Sequence, residues 1–379
     1  MKVGIIGRTN VGKSTFFKAL TLENVAIEDR PFTTIGPNKG VGYIHIKCPE
    51  KEFGVKCQPH NAPCINGARL VPLEIIDVAG LISGASEGRG LGNKFLSDTM
   101  EADGLIEVVD ISGKTNGEGA PAVEYDSGND VQMVKNELEL WITSIILRSR
   151  VRPREGLAEA VYRNLSGLKI PLSIIKDGVK KLDIDSIEER TAASLSAYVL
   201  AEAKPMVVAC NKMDAAKDLN EKLERLKKSY DYDFIPCSAA AELTLKEAEK
   251  HGFIEYELND FKVLKELDSA QIAALDTIRT IIKRNDGTGV QTALNKLLFE
   301  KMRCKVVFTV EDEKRLCDGR GRILPDAYIV TENTTPRDVA GLIHSDVAAN
   351  YKGAIDCRTS LKIKNDEPVK NGQILKILV

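Results

Sequence analysis

Gly7-Arg8-Thr9-Asn10-Val11-Gly12-Lys13-Ser14 leaves the first part of the chain few folds to choose from. It fits G-x-x-x-x-G-K-[ST], between an apolar strand, Lys2 to Ile6, and a helix beginning near Lys13. The two glycines let the backbone wrap closely round phosphate, with successive N–H groups turned inward. The helix N-terminus adds positive dipole at the same place. Lys13 then reaches the outer phosphates, and Ser14, followed by Thr15, supplies a hydroxyl for Mg²⁺.

Further strands are expected at Gly40–Lys47, Leu70–Asp77, Leu105–Asp110 and Pro205–Cys210, with another ending at Cys237. Short apolar strands alternating with helices predict an α/β fold, a parallel sheet covered on both faces. About ninety residues without strand signals separate the fourth and fifth strands, far more than an ordinary crossover. Val131, Val134, Leu138, Trp141, Ile142, Ile145 and Ile146 repeat there at helical spacing, and further helical stretches are expected at 153–182 and 186–203. This predicts a helical insertion at about 120–203. Another helical region is expected at 269–302, broken by Asp286-Gly287-Thr288-Gly289. From Lys305 the texture changes to strands and turns (305–310, 327–330, 374–378) with one helix at 337–349, a small α+β domain. The expected domains are 1–302 and 303–379.

Asp77-Val78-Ala79-Gly80 is a D-x-x-G at the tip of the third strand. Asp77 would hold Mg²⁺ through a water, and the Gly80 N–H would sense the γ-phosphate. Thr33 and Thr34 lie in the loop before the second strand, and Thr34 is favoured to close over the metal. Asn211-Lys212-Met213-Asp214 is N-K-x-D after an apolar strand. The Asp214 carboxylate can accept from both the ring N–H and the exocyclic amine of guanine. Adenine lacks that amine and would leave the acid unpaired. Ser238-Ala239-Ala240 would offer a backbone N–H to the guanine carbonyl. All these motifs occur in order at the C-terminal ends of strands, so the expectation is a Mg²⁺-dependent GTPase with Lys13, Thr34 and Gly80 at the reacting phosphate.

The residue after D-x-x-G is Leu81, whose alkyl group cannot orient water. Asn10 suggests a K⁺ beside the phosphates, as in potassium-activated GTPases; the other reading is that Asn10 only shapes the loop. Glu107 is read as a strand residue pairing with a basic neighbour rather than a base.

The stretch Asp77-Val78-Ala79-Gly80-Leu81-Ile82-Ser83-Gly84-Ala85-Ser86-Glu87-Gly88-Arg89-Gly90-Leu91-Gly92, with Pro31-Phe32-Thr33-Thr34 upstream, resembles the Obg-related GTPases, within them the YchF branch in its archaeal form. Leu324-Pro325-Asp326-Ala327-Tyr328, Thr335-Pro336-Arg337-Asp338-Val339-Ala340 and Ile343-His344 resemble a TGS domain. The resemblance spans essentially the whole chain. It implies a β-grasp for the C-terminal domain, translation- or ribosome-linked function, and hydrophobic replacement of the catalytic glutamine. Many such relatives have a degraded guanine motif and prefer ATP; here N-K-x-D is intact, which favours GTP. The alternatives are an ATPase of the same fold and a nucleotide-gated RNA- or ribosome-binding adaptor.

Cys48, Cys57, His60 and Cys64 lie in one loop, spaced C-x₈-C-x₂-H-x₃-C, and admit either a zinc site or free thiols in a surface hairpin. A formal charge of −2 gives no global case for nucleic acid, so any RNA must meet a local patch. Candidates are Arg315, Arg320, Arg322, Arg337, Lys352, Arg358, Lys362 and Lys364, mixed with nearly as many acids. The helical insertion is a second candidate surface. His344 and His251 are read as structural or surface residues. No apolar run reaches membrane-spanning length, and the chain opens directly on a strand, so a cytoplasmic monomer without membrane association is expected.

Overall fold

The computed structural model describes residues 1–22, 38–80, 92–257 and 259–379. Thr33, Thr34, Leu81 and most of the glycine-rich stretch after Gly80 lie outside them. The chain divides into two compact units. Among the described residues the larger holds 2–22, 75–80, 92–257 and 259–297; the smaller holds residue 1, 38–74 and 298–379. This grouping cuts across a linear boundary at 302, because residues 38–74 fall with the C-terminal part.

The first part of the chain runs β1 Lys2–Ile6, α1 Lys13–Thr21, β2 Lys39–Lys47, α2 Glu50–Phe53, β3 Cys64–Ile65, β4 Ala68–Asp77, α3 Gly92–Glu101 and β5 Gly104–Asp110. The helical insertion follows as α4 Gly128–Ile146, α5 Leu157–Leu165, α6 Leu172–Lys181 and α7 Glu189–Ala203. Then come β6 Met206–Asn211, α8 Leu219–Ser229, β7 Phe234–Pro236, α9 Ala239–Lys250, a hairpin of β8 Ile254–Glu257 and β9 Asp260–Val263, α10 Ser269–Asn285 and α11 Val290–Asn295. The C-terminal part contains β10 Lys305–Val310, β11 Asp326–Val330, α12 Pro336–Ile343, α13 Ser345–Ala349, β12 Gly353–Asp356, β13 Leu361–Ile363 and β14 Ile374–Leu378.

In the larger unit the C-terminal end of β4, residues 75–77, is followed across the sheet by β1-β5-β6-β7, and the pairs β1/β5, β5/β6 and β6/β7 are parallel. Strand β5 is buried along its whole length and β6 likewise, as central parallel strands must be. The expected insertion is present, and its apolar faces join a core shared with β1, β4, α3 and β5. Val134, Leu138, Ile142 and Ile146 recur every fourth residue on α4. They meet Val161 and Leu165 of α5, Ile175 of α6 and Leu195 and Val199 of α7. Full burial of each such side chain contributes about 1.5–3 kcal/mol, so the insertion is packed as a bundle rather than draped as a loop.

In the smaller unit β2 and β3 flank β4, and β10–β14 form a mixed sheet in the order β11-β10-β14-β12-β13. The β3–β4 hairpin turns on Asn66 (φ 52°) and Gly67 (φ 85°), the two left-handed residues a tight hairpin requires. Helix α12 opens with a capping box, Thr335 and Asp338. The single helix expected at 337–349 is two helices. His344 is extended (φ −164°, ψ 151°), and its ring Nδ1 accepts the Asp346 N–H at 3.1 Å, ending one helix and starting the next. Among the described residues no helix is long and apolar enough to cross a membrane.

Candidate functional site

Two loops of the larger unit meet at the C-terminal ends of β1 and β6. The turn after β1 has Gly7 at φ 136° and Gly12 at φ 100°. A Cβ on Gly7 would collide with the Val108 carbonyl, and one on Gly12 with the Asn211 amide, so neither position admits a side chain. Asn10 also sits in the left-handed region (φ 64°), which asparagine tolerates better than most residues.

Lys13 is buried and points back into the turn, donating to the Arg8 carbonyl at 2.6 Å. Burial lowers its pKa to about 8, with Asp77 pulling upward. An anion bound beside Lys13 would offset the burial that disfavours its charge. Ser14 Oγ donates to Asp77 Oδ2 at 3.1 Å. Burial raises the Asp77 pKa, and Ser14 and Lys13 oppose the rise. Hydroxyl and carboxylate thus converge as a hard oxygen pair, a donor set that fits Mg²⁺. Gly80 stands over the loop; a Cβ there would come within 3.0 Å of Thr9 Oγ1 and 3.3 Å of Lys13 Nζ.

The second loop is locked to the first. Asn211 Nδ2 donates to the Val11 carbonyl at 2.9 Å, and its Oδ1 accepts the Ala239 N–H at 3.0 Å. Lys212 Nζ donates to the Asn10 carbonyl at 2.9 Å and to Asp110 Oδ2 at 2.8 Å. Ser238 Oγ donates to Asp214 Oδ1 at 2.6 Å, orienting that carboxylate. Of the residues Ser238, Ala239 and Ala240, the Ala239 N–H is therefore committed to Asn211. Ala240 is left as a first-turn donor of α9 without an intrahelical partner. Behind this loop Ser238 N–H donates to the Thr288 carbonyl at 2.8 Å, and Gly289 is pressed so closely against the Pro236 carbonyl that a Cβ would not fit. A separate cleft of about 860 Å³ shares Asp214 but has no phosphate-loop residue in its lining.

Three features were not read from the sequence. The loop after β5 folds back over the phosphate turn: Asn10 Nδ2 donates to the Gly119 carbonyl at 2.9 Å, and Arg8 donates to the Gly117 carbonyl. Asp110 is held low despite burial by Lys212, Ser112 and Thr115. Its position straight after an apolar strand was the available signal. Glu107, expected to pair with a basic residue, does not. Arg8 pairs with Asp130 at 2.9 Å, and both Glu107 oxygens are buried without a hydrogen bond. Burial pushes its pKa well up, with Asp130 adding to the rise and Arg8 opposing it.

The cysteine loop, in the smaller unit, differs from expectation. Cys48, Cys57 and Cys64 converge, but His60 turns away, its Nδ1 3.0 Å from Asp326 Oδ1. Glu50 takes the fourth place. The spacing put His60 between the cysteines; the backbone of 58–61 instead follows the C-terminal segment and carries the ring with it. Of the candidate basic residues, Arg322 is paired with Asp318 and Arg358 with Glu52, while Arg315, Arg320, Arg337, Lys352, Lys362 and Lys364 are exposed.

Residues 2–145 match the family model described as 50S ribosome-binding GTPase. Residues 209–312 match that of the Obg-like GTPase YGR210-like, G4 motif-containing domain, and residues 320–379 the TGS domain. An uncharacterised GTP-binding protein of Methanocaldococcus jannaschii is 42% identical, over 99% of this chain and 98% of its own. Obg-like ATPase 1 of Homo sapiens is 30% identical over 73% of this chain and 71% of its own. Among solved structures, a GTP-binding protein from Pyrococcus horikoshii superposes with a TM-score of 0.79 at 31% identity, covering 100% of this chain and 99% of that one. The Schizosaccharomyces pombe YchF GTPase, at 18% identity and a TM-score of 0.59 over 100% and 97% of the two chains, shares the fold. With the phosphate turn, the N-K-x-D loop locked to it and the C-terminal TGS domain, the chain belongs to the Obg-like, YchF-related family of P-loop GTPases.

Proposed function

We propose that the protein binds GTP with Mg²⁺, hydrolyses it slowly to GDP and phosphate, and acts as a cytosolic, monomeric switch read by the ribosome or its RNA. The observation that carries the base assignment is Asp214, held by Ser238 Oγ beside a loop fixed to the phosphate turn by Asn211. An oriented carboxylate matches the paired donors of guanine and is left unpaired by adenine. Several relatives are named ATPases, so base choice is the first thing to test. Direct titration should show GTP bound far more tightly than ATP; equal affinities would overturn the assignment in favour of an ATPase.

Ser14 and Asp77 would hold the metal, with Thr34 joining them, and Mg²⁺ supplies charge neutralisation between the outer phosphates. Gly7, Asn10, Val11, Gly12, Lys13, Ser14 and Thr15 line the phosphate side; Asn211, Lys212, Asp214 and the Ser238–Ala240 turn line the base side. Residues 1–302 would form the nucleotide-responsive part, and 303–379 together with the insertion would meet RNA. The exposed basic residues of the C-terminal part support that reading.

With Leu81 unable to position water, K⁺ at Asn10 would supply the missing positive charge. The Asn10 Nδ2 donates to the Gly119 carbonyl, which fixes the amide and leaves its Oδ1 as the atom that would ligate the ion. Turnover should be faster in KCl than in NaCl at matched ionic strength, and Asn10→Ala should lose the difference while GTP affinity changes little. Equal turnover in both salts would point to an activating residue supplied by a partner.

A further inference from the structure

The segment joining β2 to β4 makes a turn, one short helix and a tight hairpin within the smaller unit. Cys48 directly follows β2, and Glu50 opens α2, two residues on. Cys57 follows the left-handed Gly54 that ends that helix, and Cys64 sits opposite Arg69 in the β3–β4 pair. Three sulfurs and one carboxylate oxygen from these residues all lie within 4.8 Å of one another. Cys64 Sγ is 3.8 Å from Glu50 Oε1. Around a tetrahedral zinc, with bonds of about 2.0–2.3 Å, neighbouring donor atoms stand about 3.3–3.8 Å apart. The four groups are therefore near the edge lengths of one coordination tetrahedron.

The surroundings are built for negative charge. Arg69 is fully buried, beneath Phe308, and its Nη2 lies 3.6 Å from Cys48 Sγ. Nη2 also donates to the Leu324 carbonyl at 2.8 Å, and Nη1 to those of Ala62 at 3.2 Å and Pro325 at 3.5 Å, while Nε is buried without a partner. Among the described residues no carboxylate forms an ion pair with it. A buried unpaired cation is costly. Three thiolates and a carboxylate round a divalent ion carry a net charge of −2, and Arg69 is placed to balance half of it. The Glu50 carboxylate is itself oriented, its Oε2 accepting the Cys57 N–H at 3.1 Å. Such outer hydrogen bonds are what hold metal ligands in place.

We propose that Cys48, Glu50, Cys57 and Cys64 bind one structural Zn²⁺-class ion, with Arg69 as its buried counter-charge. Thiolate-rich tetrahedral sites select zinc over magnesium or calcium. The consequence is mechanical. Between the ligands, residues 58–61 run along the C-terminal segment. Gln58 N–H donates to the Ile323 carbonyl at 2.8 Å, and His60 N–H to the Pro325 carbonyl at 2.8 Å. Asn61 exchanges two hydrogen bonds with the Ala327 backbone, at 3.1 and 2.9 Å. The ion would clamp both ends of the strip that docks on β11.

The test uses the full chain, purified under reducing conditions without chelators. Metal analysis should give about one zinc per chain. After chelation, added Co²⁺ should produce the sulfur-to-metal charge-transfer bands and strong visible bands of tetrahedral cobalt. His60→Ala should keep the full stoichiometry and the same spectrum. Glu50→Gln should retain the sulfur bands while weakening metal affinity at least tenfold. Cys57→Ser should lose the ion while still binding GTP, which shows that the rest of the chain has folded. Chelated protein that takes up no Co²⁺, or loss of the ion in His60→Ala, would overturn the assignment. So would three thiols that react freely with a disulfide reagent in the zinc-loaded protein.

Discussion

The phosphate turn and the Cys48–Cys64 segment solve opposite problems. The turn's shape comes from its backbone: Gly7 and Gly12 take conformations and approaches open only to glycine, and Asn10 adds a third left-handed residue. Its charged side chain, Lys13, is a passenger satisfied by one carbonyl. In the cysteine segment the backbone wanders, and side chains do the holding, with Arg69 gathering three carbonyls and a sulfur. Removing a side chain should therefore cost binding in the first region and stability in the second.

Lys13→Ala gives the largest effect and the sharpest test of that contrast. Loss of a buried charged partner to phosphate should weaken GTP by about 2–5 kcal/mol, with the melting temperature of the nucleotide-free protein unchanged. A clear drop in that temperature would show that the lysine helps hold the turn. Arg69→Met should do the reverse. Three carbonyls and a sulfur lose their donor, and the expected loss is about 3 kcal/mol of stability, read by urea unfolding, with GTP affinity kept. Unchanged stability would break the comparison from the other side.

Asp214→Asn comes next. The amide presents a donor where guanine needs an acceptor, so GTP should weaken by about 2–3 kcal/mol and xanthosine triphosphate should gain, measured by competition. The smallest effect is protonic. Lys13 titrates near 8 in the folded protein against 10.5 for a free lysine. The unfolded chain then binds more protons between those values, so this group makes stability rise with pH across that window. Phosphate restores the charge, so GTP binding at pH 8 should take up about half a proton, fading towards pH 6.5. Calorimetry in buffers of different ionisation heat reads it directly; no uptake would mean the free protein already holds Lys13 charged.

The same contrast explains what the sequence made visible. Where the backbone specifies a site, consecutive residues carry the whole instruction, so Gly7–Ser14 and Asn211–Asp214 could be placed from the sequence and their meeting anticipated. Strands β5 and β6 were legible because central parallel strands are mostly apolar, here broken only by Glu107 and the polar ends Asp110 and Asn211. The cysteine ligand set was not, since His60 and Glu50 are equally near in sequence and only the docking of 58–61 on the C-terminal segment decides between them. Glu107 failed for a related reason. The basic side chain nearby, Arg8, is claimed by Asp130, which lies beyond a loop of irregular length. Two helices replaced one at His344 because an imidazole can cap a helix through Nδ1, a role that spacing does not announce.

Asn211 has a consequence for how the nucleotide leaves. One amide grips the phosphate turn through Val11 and the base loop through Ala239. Neither loop can swing outward alone without breaking that grip. Moving one loop away from the other breaks at least one of these hydrogen bonds, which couples the two loops through the end of β6. A factor that speeds exchange need touch neither phosphate nor base; it need only lever that one side chain out of place.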